Sequence, residues 1–250
     1  MRLAVFSDVH GNLSALEAVA SAIRADAVDM VICLGDLVGY GPEPGPAIER
    51  TREIAAFVVA GNHDLDVAQG SAAAGTSSSA RRSHDWCREQ LSSGHLAYLA
   101  MLPRSIVEAE AGIVAVHGCY LNDYHATGYV TEVMAPDNLD RIAARDDWPK
   151  VAFCGHTHVP MGAWLDAGGY QVSPARALVR WSRSARAVLL NPGSVGQPRD
   201  GDPRAAYAIV DLVARTFEVR RVEYPVDEVA ARMLDLGLDV DSAERLREGR

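Results

Sequence analysis

Five short stretches of this chain end in side chains that suit metal-ion chemistry. They are Asp8-Val9-His10, Gly35-Asp36, Gly61-Asn62-His63-Asp64, His117-Gly118 and Gly155-His156-Thr157-His158. Five of the eight histidines fall in these turns. A lone histidine in a turn is ordinarily structural, whereas five that share one pattern with Asp8, Asp36 and Asn62 form a nitrogen-and-oxygen ligand set. Extended backbone would point Asp8 and His10 to one side, and likewise His156 and His158, so each pair could aim at a common centre. None of the four cysteines (Cys33, Cys87, Cys119, Cys154) sits in a C-x-x-C pair, which argues against a thiolate zinc site. The ligand set suits Mn, Fe, Zn, Co or Ni and disfavours Cu(I). Imidazoles argue against a pure Mg or Ca site, because those ions prefer oxygen shells.

Each cluster follows an apolar run: Leu3–Phe6, Met30–Leu34, Phe57–Ala60, Ile113–Val116 and Val151–Cys154. Runs of this length, rich in Val and Ile and bounded by Gly, predict buried strands. Polar ligands just past strand ends are where open α/β sheets place their sites. Helical spacing predicts helices over 13–25, 44–55, 80–101 and 225–236, with Asn12 as an N-cap and Pro225 in a first turn. Further strands are expected at 161–165, 186–190, 205–212 and 216–222. About ten strands exceed one small open sheet, so the expectation is α/β with two mixed β-sheets. The charged tail from about 240 is expected to fray. Segment 68–80, small and flexible in composition, reads as a surface loop or as part of a lid.

The 250 residues fit one domain over 1–250, with a small cap formed by 66–102 and 120–140. A formal charge of −9 lacks the basic footprint of stable nucleic-acid binding. No apolar run reaches the roughly 18 residues of a membrane span, and the opening run is too short for a signal segment. A soluble, cytoplasmic protein with reduced cysteines is expected. Oligomers stay open. The local basic stretch Arg176, Arg180, Arg183, Arg186 reads as a solvated face, or as an edge strand or subunit contact. His84 and His95 fall in expected helix with no assigned role.

In order and in kind, the five blocks resemble the calcineurin-like metallophosphoesterase superfamily. The block from Asn191 to Asp200, with Gly39-Tyr40-Gly41-Pro42, further resembles a small prokaryotic stand-alone phosphodiesterase-like subgroup. The resemblance implies the four-layer α/β/β/α sandwich of that superfamily. It implies two divalent transition-metal ions, one held by Asp8, His10, Asp36 and His158. The other would be held by Asp36, Asn62, His117 and His156, with Asp36 bridging. It implies hydrolysis of phosphate esters by a metal-activated hydroxide, with His63 as general acid to the leaving oxygen. A small phosphate ester, nucleotide-like in the leading reading, is the expected substrate; a phosphoprotein phosphatase and a catalytically silent scaffold are the alternatives. Every ligand and acid position is filled, which a degenerate scaffold need not maintain. In the phosphoprotein phosphatases the second block continues G-D-x-x-D-R. Gly39 here replaces the acid that orients the histidine, and Tyr40 replaces the arginine that grips phosphate. Asp64 or a backbone carbonyl is then expected to orient His63. Asn191-Pro192-Gly193-Ser194 reads as a tight turn or as the rim of the site, with Arg199 available to a substrate oxygen. His125, near Asn122, Asp123 and Tyr124, reads as a solvated loop residue or as a cap residue over the substrate.

Overall fold

Alternation along the first strand sorts the molecule into layers. Leu3 and Val5 of β1 (Arg2–Phe6) face one core, while Ala4 and Phe6 face another. A computed structural model describes residues 1–71, 76–121, 125–174 and 178–250. The order continues α1 (Leu13–Ala25), β2 (Met30–Cys33), α2 (Pro44–Ile54), β3 (Phe57–Val58), α3 (Asn62–Gln69), α4 (Ser78–Gln90), α5 (Ser93–Met101), β4 (Ser105–Glu108) and β5 (Ile113–Val116). It is completed by α6 (Ala135–Ala144), β6 (Val151–Phe153), β7 (Met161–Asp166), β8 (Gly169–Pro174), β9 (Val179–Arg180), β10 (Ala187–Asn191), β11 (Ala205–Asp211), β12 (Thr216–Val222), α7 (Val226–Asp235) and α8 (Val240–Glu248).

Two six-stranded mixed sheets result, ordered β3-β2-β1-β11-β12-β9 and β4-β5-β6-β10-β7-β8. Their facing sides share a core that includes Leu3, Val5, Ile32, Leu34, Ile113, Phe153, Leu190, Val210 and Phe217. The outer face of the first sheet packs Phe6, Cys33 and Tyr207 against Leu16, Val19, Ile48 and Cys87 of the helices. Val114, Ala152 and Leu189, on the outer face of the second, pack against Leu139 and Ile142 of α6. The layers are therefore α/β/β/α, the architecture that the resemblance implied.

Two expectations are corrected. The helix over 80–101 is two helices, because Leu91 turns extended and Ser92 caps a new start by accepting from His95 N. The tail does not fray. Asp239 caps α8, which buries Ala243 and Leu246 against Val229 and Met233 of α7. Within 66–102, Cys87, Leu91 and Leu99 belong to the helical core. Three strands had no counterpart as expected runs: β4, β8 and β9. All three are sheet edges. Arg180 lies on the edge strand β9, and Arg180, Arg183 and Arg186 are exposed. Residues 72–75, Asn122, Asp123, Tyr124 and Arg176 lie outside the described residues. All four cysteines are buried, and Cys33, Cys87 and Cys154 are free. Among the described residues no helix is long and apolar enough to cross a membrane.

Candidate metal centre

β1, β2 and β3 run parallel in one sheet, and β5, β6 and β10 run parallel in the other. The turns after their C-terminal ends meet across the gap between the sheets. Within the first sheet, Asp8 N donates to Gly35 O, His10 N to Asp36 O and Gly11 N to Leu37 O. Within the second, Gly155 N donates to His117 O. The block after β10 staples the two sheets together. Val195 N donates to Ser7 O, Gly196 N to Asp8 O, and Ser194 Oγ to Asp8 O at 2.9 Å. Asn191 Nδ2 donates to Gly155 O at 2.9 Å, and the Asn191 Oδ1 atom accepts from Gly193 N. Asn191-Pro192-Gly193-Ser194 is thus both a tight turn and a clamp on the Asp8 and His156 loops. Individual roles for Asn191 and Ser194 were missed in the sequence, where only the turn chemistry showed.

The extended geometry expected for the ligand pairs is not what forms. Asp8, His10, Asp36, His156 and His158 all have φ between 49° and 66°, the left-handed region. Such a residue costs about 1–3 kcal/mol and persists where its surroundings over-determine it. The sharp turn it makes, not strand alternation, brings both members of each pair inward. Gly61 serves the same approach, because a Cβ there would overlap the Asp36 carboxylate.

Asp8, His10 and His158 converge, as do Asp36, His117 and His156, and as do His10, Asp36 and His63. His158 Nε2 lies 3.2 Å from Asp8 Oδ1, and His117 Nε2 lies 3.1 Å from Asp36 Oδ2. His10 Nε2 is 3.9 Å from Asp8 Oδ1 and 3.7 Å from Asp36 Oδ2, so it stands between the two carboxylates. Three of these rings are held by their other nitrogen. The Nδ1 of His10 donates to Val38 O at 3.0 Å, that of His117 to Leu34 O at 2.7 Å, and that of His158 to Gln197 O at 2.5 Å. A ring that donates through Nδ1 presents Nε2 as the ligand atom.

The residues fit bound metal cations on grounds internal to the site. The Nε2 atoms of His10 and His158 stand 3.2 Å apart, both rings donating through Nδ1, so two lone pairs face one another. Burial pushes His10 down to about 4 and His158 well below its ordinary value, so neither takes a proton at neutral pH to relieve this. Asp8 Oδ1 and Asn62 Oδ1 are buried without a hydrogen-bond partner, and Asp36 Oδ2 faces the His117 ring. Orphaned acceptors and opposed lone pairs are costly unless a cation sits among them. Burial also pushes His156 down to about 3 and Asp8 up to about 6. Burial acts against charge on His117 too, but Asp36 outweighs it and holds His117 up at about 9.

His63 lines a cavity of about 240 Å³ with Asp36, Asn62, Tyr40, Tyr129, His156, His158 and Arg199, and Thr76, Ser77 and Ala80 also line it. The expected orienting groups for His63 do other things. Asp64 Oδ1 accepts from Leu37 N and Val38 N, and its Oδ2 from Gly61 N. The side chain beside His63 is His84, whose Nε2 lies 2.8 Å from His63 Nδ1. Only its place in a helix was visible in the sequence. Burial lowers both rings, His63 well below its ordinary value. Arg199 lies at the cavity wall and donates to Gln197 Oε1 at 2.7 Å. His125 is not among the cavity-lining residues: its Nδ1 faces Cys119 O at 3.0 Å and its ring leans toward Trp148. From the 120–140 segment it is Tyr129 that reaches the site, its ring 4.1 Å from that of His156.

Two sheets whose parallel strand ends enclose a histidine–carboxylate cluster define a strand-end metal-centre protein. Residues 1–215 match the calcineurin-like phosphoesterase superfamily domain, and the chain belongs to that superfamily. It is 31% identical over 248 residues to protein MJ0912 of Methanocaldococcus jannaschii, covering 99% of this chain and 98% of that one. It is similar at 34% identity and a TM-score of 0.83 to a solved metallophosphoesterase from Sphaerobacter thermophilus, covering 100% of this chain and 99% of the other. It is 24% identical over 221 residues to phosphodiesterase YfcE of Escherichia coli, covering 84% and 88%.

Proposed function

We propose that the protein hydrolyses small phosphate esters, phosphodiesters foremost, at a centre of two divalent transition-metal ions. The observation that carries this reading is the buried Asp–His–Asn cluster, with Asp8 Oδ1 and Asn62 Oδ1 lacking hydrogen-bond partners, beside a cavity that Asp36, Asn62, His156, His158, His63 and Arg199 line. Asp8, His10, Asp36 and His158 would hold one ion, and Asp36, Asn62, His117 and His156 the other. Mn, Fe, Zn, Co and Ni all suit these donors. When bound, the ions supply Lewis-acid charge for the phosphoryl oxygens and acidify a water to serve as nucleophile.

The chain's own residues do the rest. Arg199 presents a fixed positive charge to a non-bridging oxygen. With Nδ1 turned to His84, His63 has Nε2 left for the cavity. An entering phosphate ester brings negative charge beside a ring that burial keeps neutral, which raises its proton affinity. The imidazole then takes up a proton together with the substrate and gives it from Nε2 to the leaving oxygen. Tyr40 and Tyr129 offer ring faces to an aromatic ester arm, which supports a nucleotide-like substrate. Tyr40, standing where the phosphoprotein phosphatases carry an arginine, disfavours a phosphoprotein. The name of the relative YfcE supports a diester. The free, buried Cys33, Cys87 and Cys154 support a reducing, cytoplasmic setting.

The test is a Mn-loaded hydrolysis panel that compares a phosphate monoester and diester of the same aryl alcohol. Faster diester turnover is expected. No turnover of either ester by protein carrying both ions would leave a metal-binding scaffold.

A further inference from the structure

Position 39 is where a phosphoprotein phosphatase carries the acid that orients its histidine, and here no side chain can stand there. Gly39 has φ +93°, and a Cβ on it would overlap His63 Nδ1 and crowd Cγ at 3.1 Å. The space an acid would use is filled by the ring it would have held.

That ring is held instead from the helical layer. His84 of α4 meets His63 with Nε2 2.8 Å from Nδ1 and the ring planes at 90°. His84 is 5% exposed, and its other nitrogen, Nδ1, lies 3.6 Å from Asp66 Oδ2. That gap is long for a hydrogen bond but close enough for the carboxylate to favour a proton on the facing nitrogen. His63 and Asp66 are three residues apart on α3, so they share a face, and the His84 ring reaches both. The helices are bolted together at this point. Arg88, one turn beyond His84, donates to Val67 O at 2.6 Å and Ala68 O at 2.9 Å, while the neighbouring Ser83 Oγ accepts from Tyr40 N.

We propose that His84 is a positioning residue for the reaction: Asp66 keeps the His84 proton on Nδ1, and the bare Nε2 accepts the Nδ1 proton of His63. The inference rests on His63 as proton donor. Two imidazoles in contact share one hydrogen, so fixing the His84 tautomer fixes the His63 tautomer. His63 then gives its Nε2 proton to the leaving oxygen, which keeps the electron pair of the broken P–O bond. The ring is left in the neutral Nδ1–H form that His84 already favours. No proton has to move at the His63–His84 contact during the step.

The experiment compares an alkyl phosphodiester with its p-nitrophenyl counterpart on metal-loaded enzyme. His84→Met fills the volume without an acceptor, and His84→Gln restores one. His84→Met is expected to keep its metal and KM, and to lose about 10- to 100-fold in kcat on the alkyl ester. On the p-nitrophenyl ester, which needs little protonation, the loss should be under about threefold. His84→Gln should recover most of the alkyl turnover, and Asp66→Asn should lose less than His84→Met in the same direction. Adding His84→Met to His63→Ala should cost nothing further. Independently of turnover, nitrogen-15 imidazole spectra of the zinc-loaded protein should show His84 as the Nδ1–H tautomer, and Asp66→Asn should shift it. Equal losses for His84→Met and His84→Gln, or equal losses on both esters, would overturn the proposal. So would full alkyl turnover in His84→Met where His63→Ala has lost it. If His63→Ala itself loses both esters equally, what fails is the role of His63 as acid, a result distinct from failure at His84.

Discussion

The ligand histidines and His63 stand in one cluster yet are anchored differently. His10, His117 and His158 each donate to a backbone carbonyl in a strand-end turn or the block after β10. His63 leans on a side chain from another layer, His84 of α4. A carbonyl anchor survives substitution of the residue that owns it, provided the turn keeps its shape. A side-chain anchor is lost with one codon. The proposed metal-binding half of the site is therefore insulated by the sheet architecture, while the proposed proton-handling half depends on how the helices are packed and composed.

If that contrast holds, the two halves come apart on mutation. Asp36 touches both, facing His10 and His117 through Oδ2 and accepting from His63 N through Oδ1 at 2.9 Å. Asp36→Asn is expected to weaken both ions and lower turnover by at least about 10³-fold, as metal analysis and kinetics would show. Unchanged occupancy of both sites would end its bridging role. His63→Ala should keep both ions and lose about 10²- to 10⁴-fold on poor leaving groups. Metal loss in this variant would erase the distinction between the halves.

Gly39→Ala probes the same boundary from the backbone. A Cβ placed at φ +93° against His63 should cost about 1–3 kcal/mol in thermal or denaturant unfolding. Displacing His63 should also lower turnover about tenfold on poor leaving groups, with metal content intact. Least affected should be Asp239→Ala, at the cap of α8 far along the chain from every ligand. It should lose about 1 kcal/mol of stability and leave metal content unchanged. Burial pushes the Asp239 carboxyl up, but hydrogen bonds from Ser79, Ser242 and Arg82 outweigh it and hold it below its ordinary value. The stability it adds is present above the unfolded-state pKa and lost as pH falls through the lower folded one. The gap between parent and variant, measured by unfolding as a function of pH, should therefore close in acid.

The ligand blocks were legible because each is local. An apolar run predicts a buried strand, and a polar turn after it places a candidate ligand at a strand end, so Asp8, Asp36, Asn62, His117 and the 156–158 pair could be named from sequence as candidates. Central strands were legible for the same reason. The edges β4, β8 and β9 were not: Ser105–Glu108 alternates exposed with half-buried residues and carries no apolar run. The tail misled because its charge was visible and its two buried anchors, Ala243 and Leu246, were not.

Residue types and spacing were enough to mark the candidate donors and to predict α/β with two mixed sheets, since periodicity and turn composition act over a few residues, while the four-layer order was implied by the family resemblance. The left-handed turns at Asp8 and His156, the clamp from Asn191 to Ser194, and the choice of His84 as partner to His63 were set by packing. Each depends on residues far apart in the chain meeting at one distance and angle, and no short-range pattern encodes that meeting.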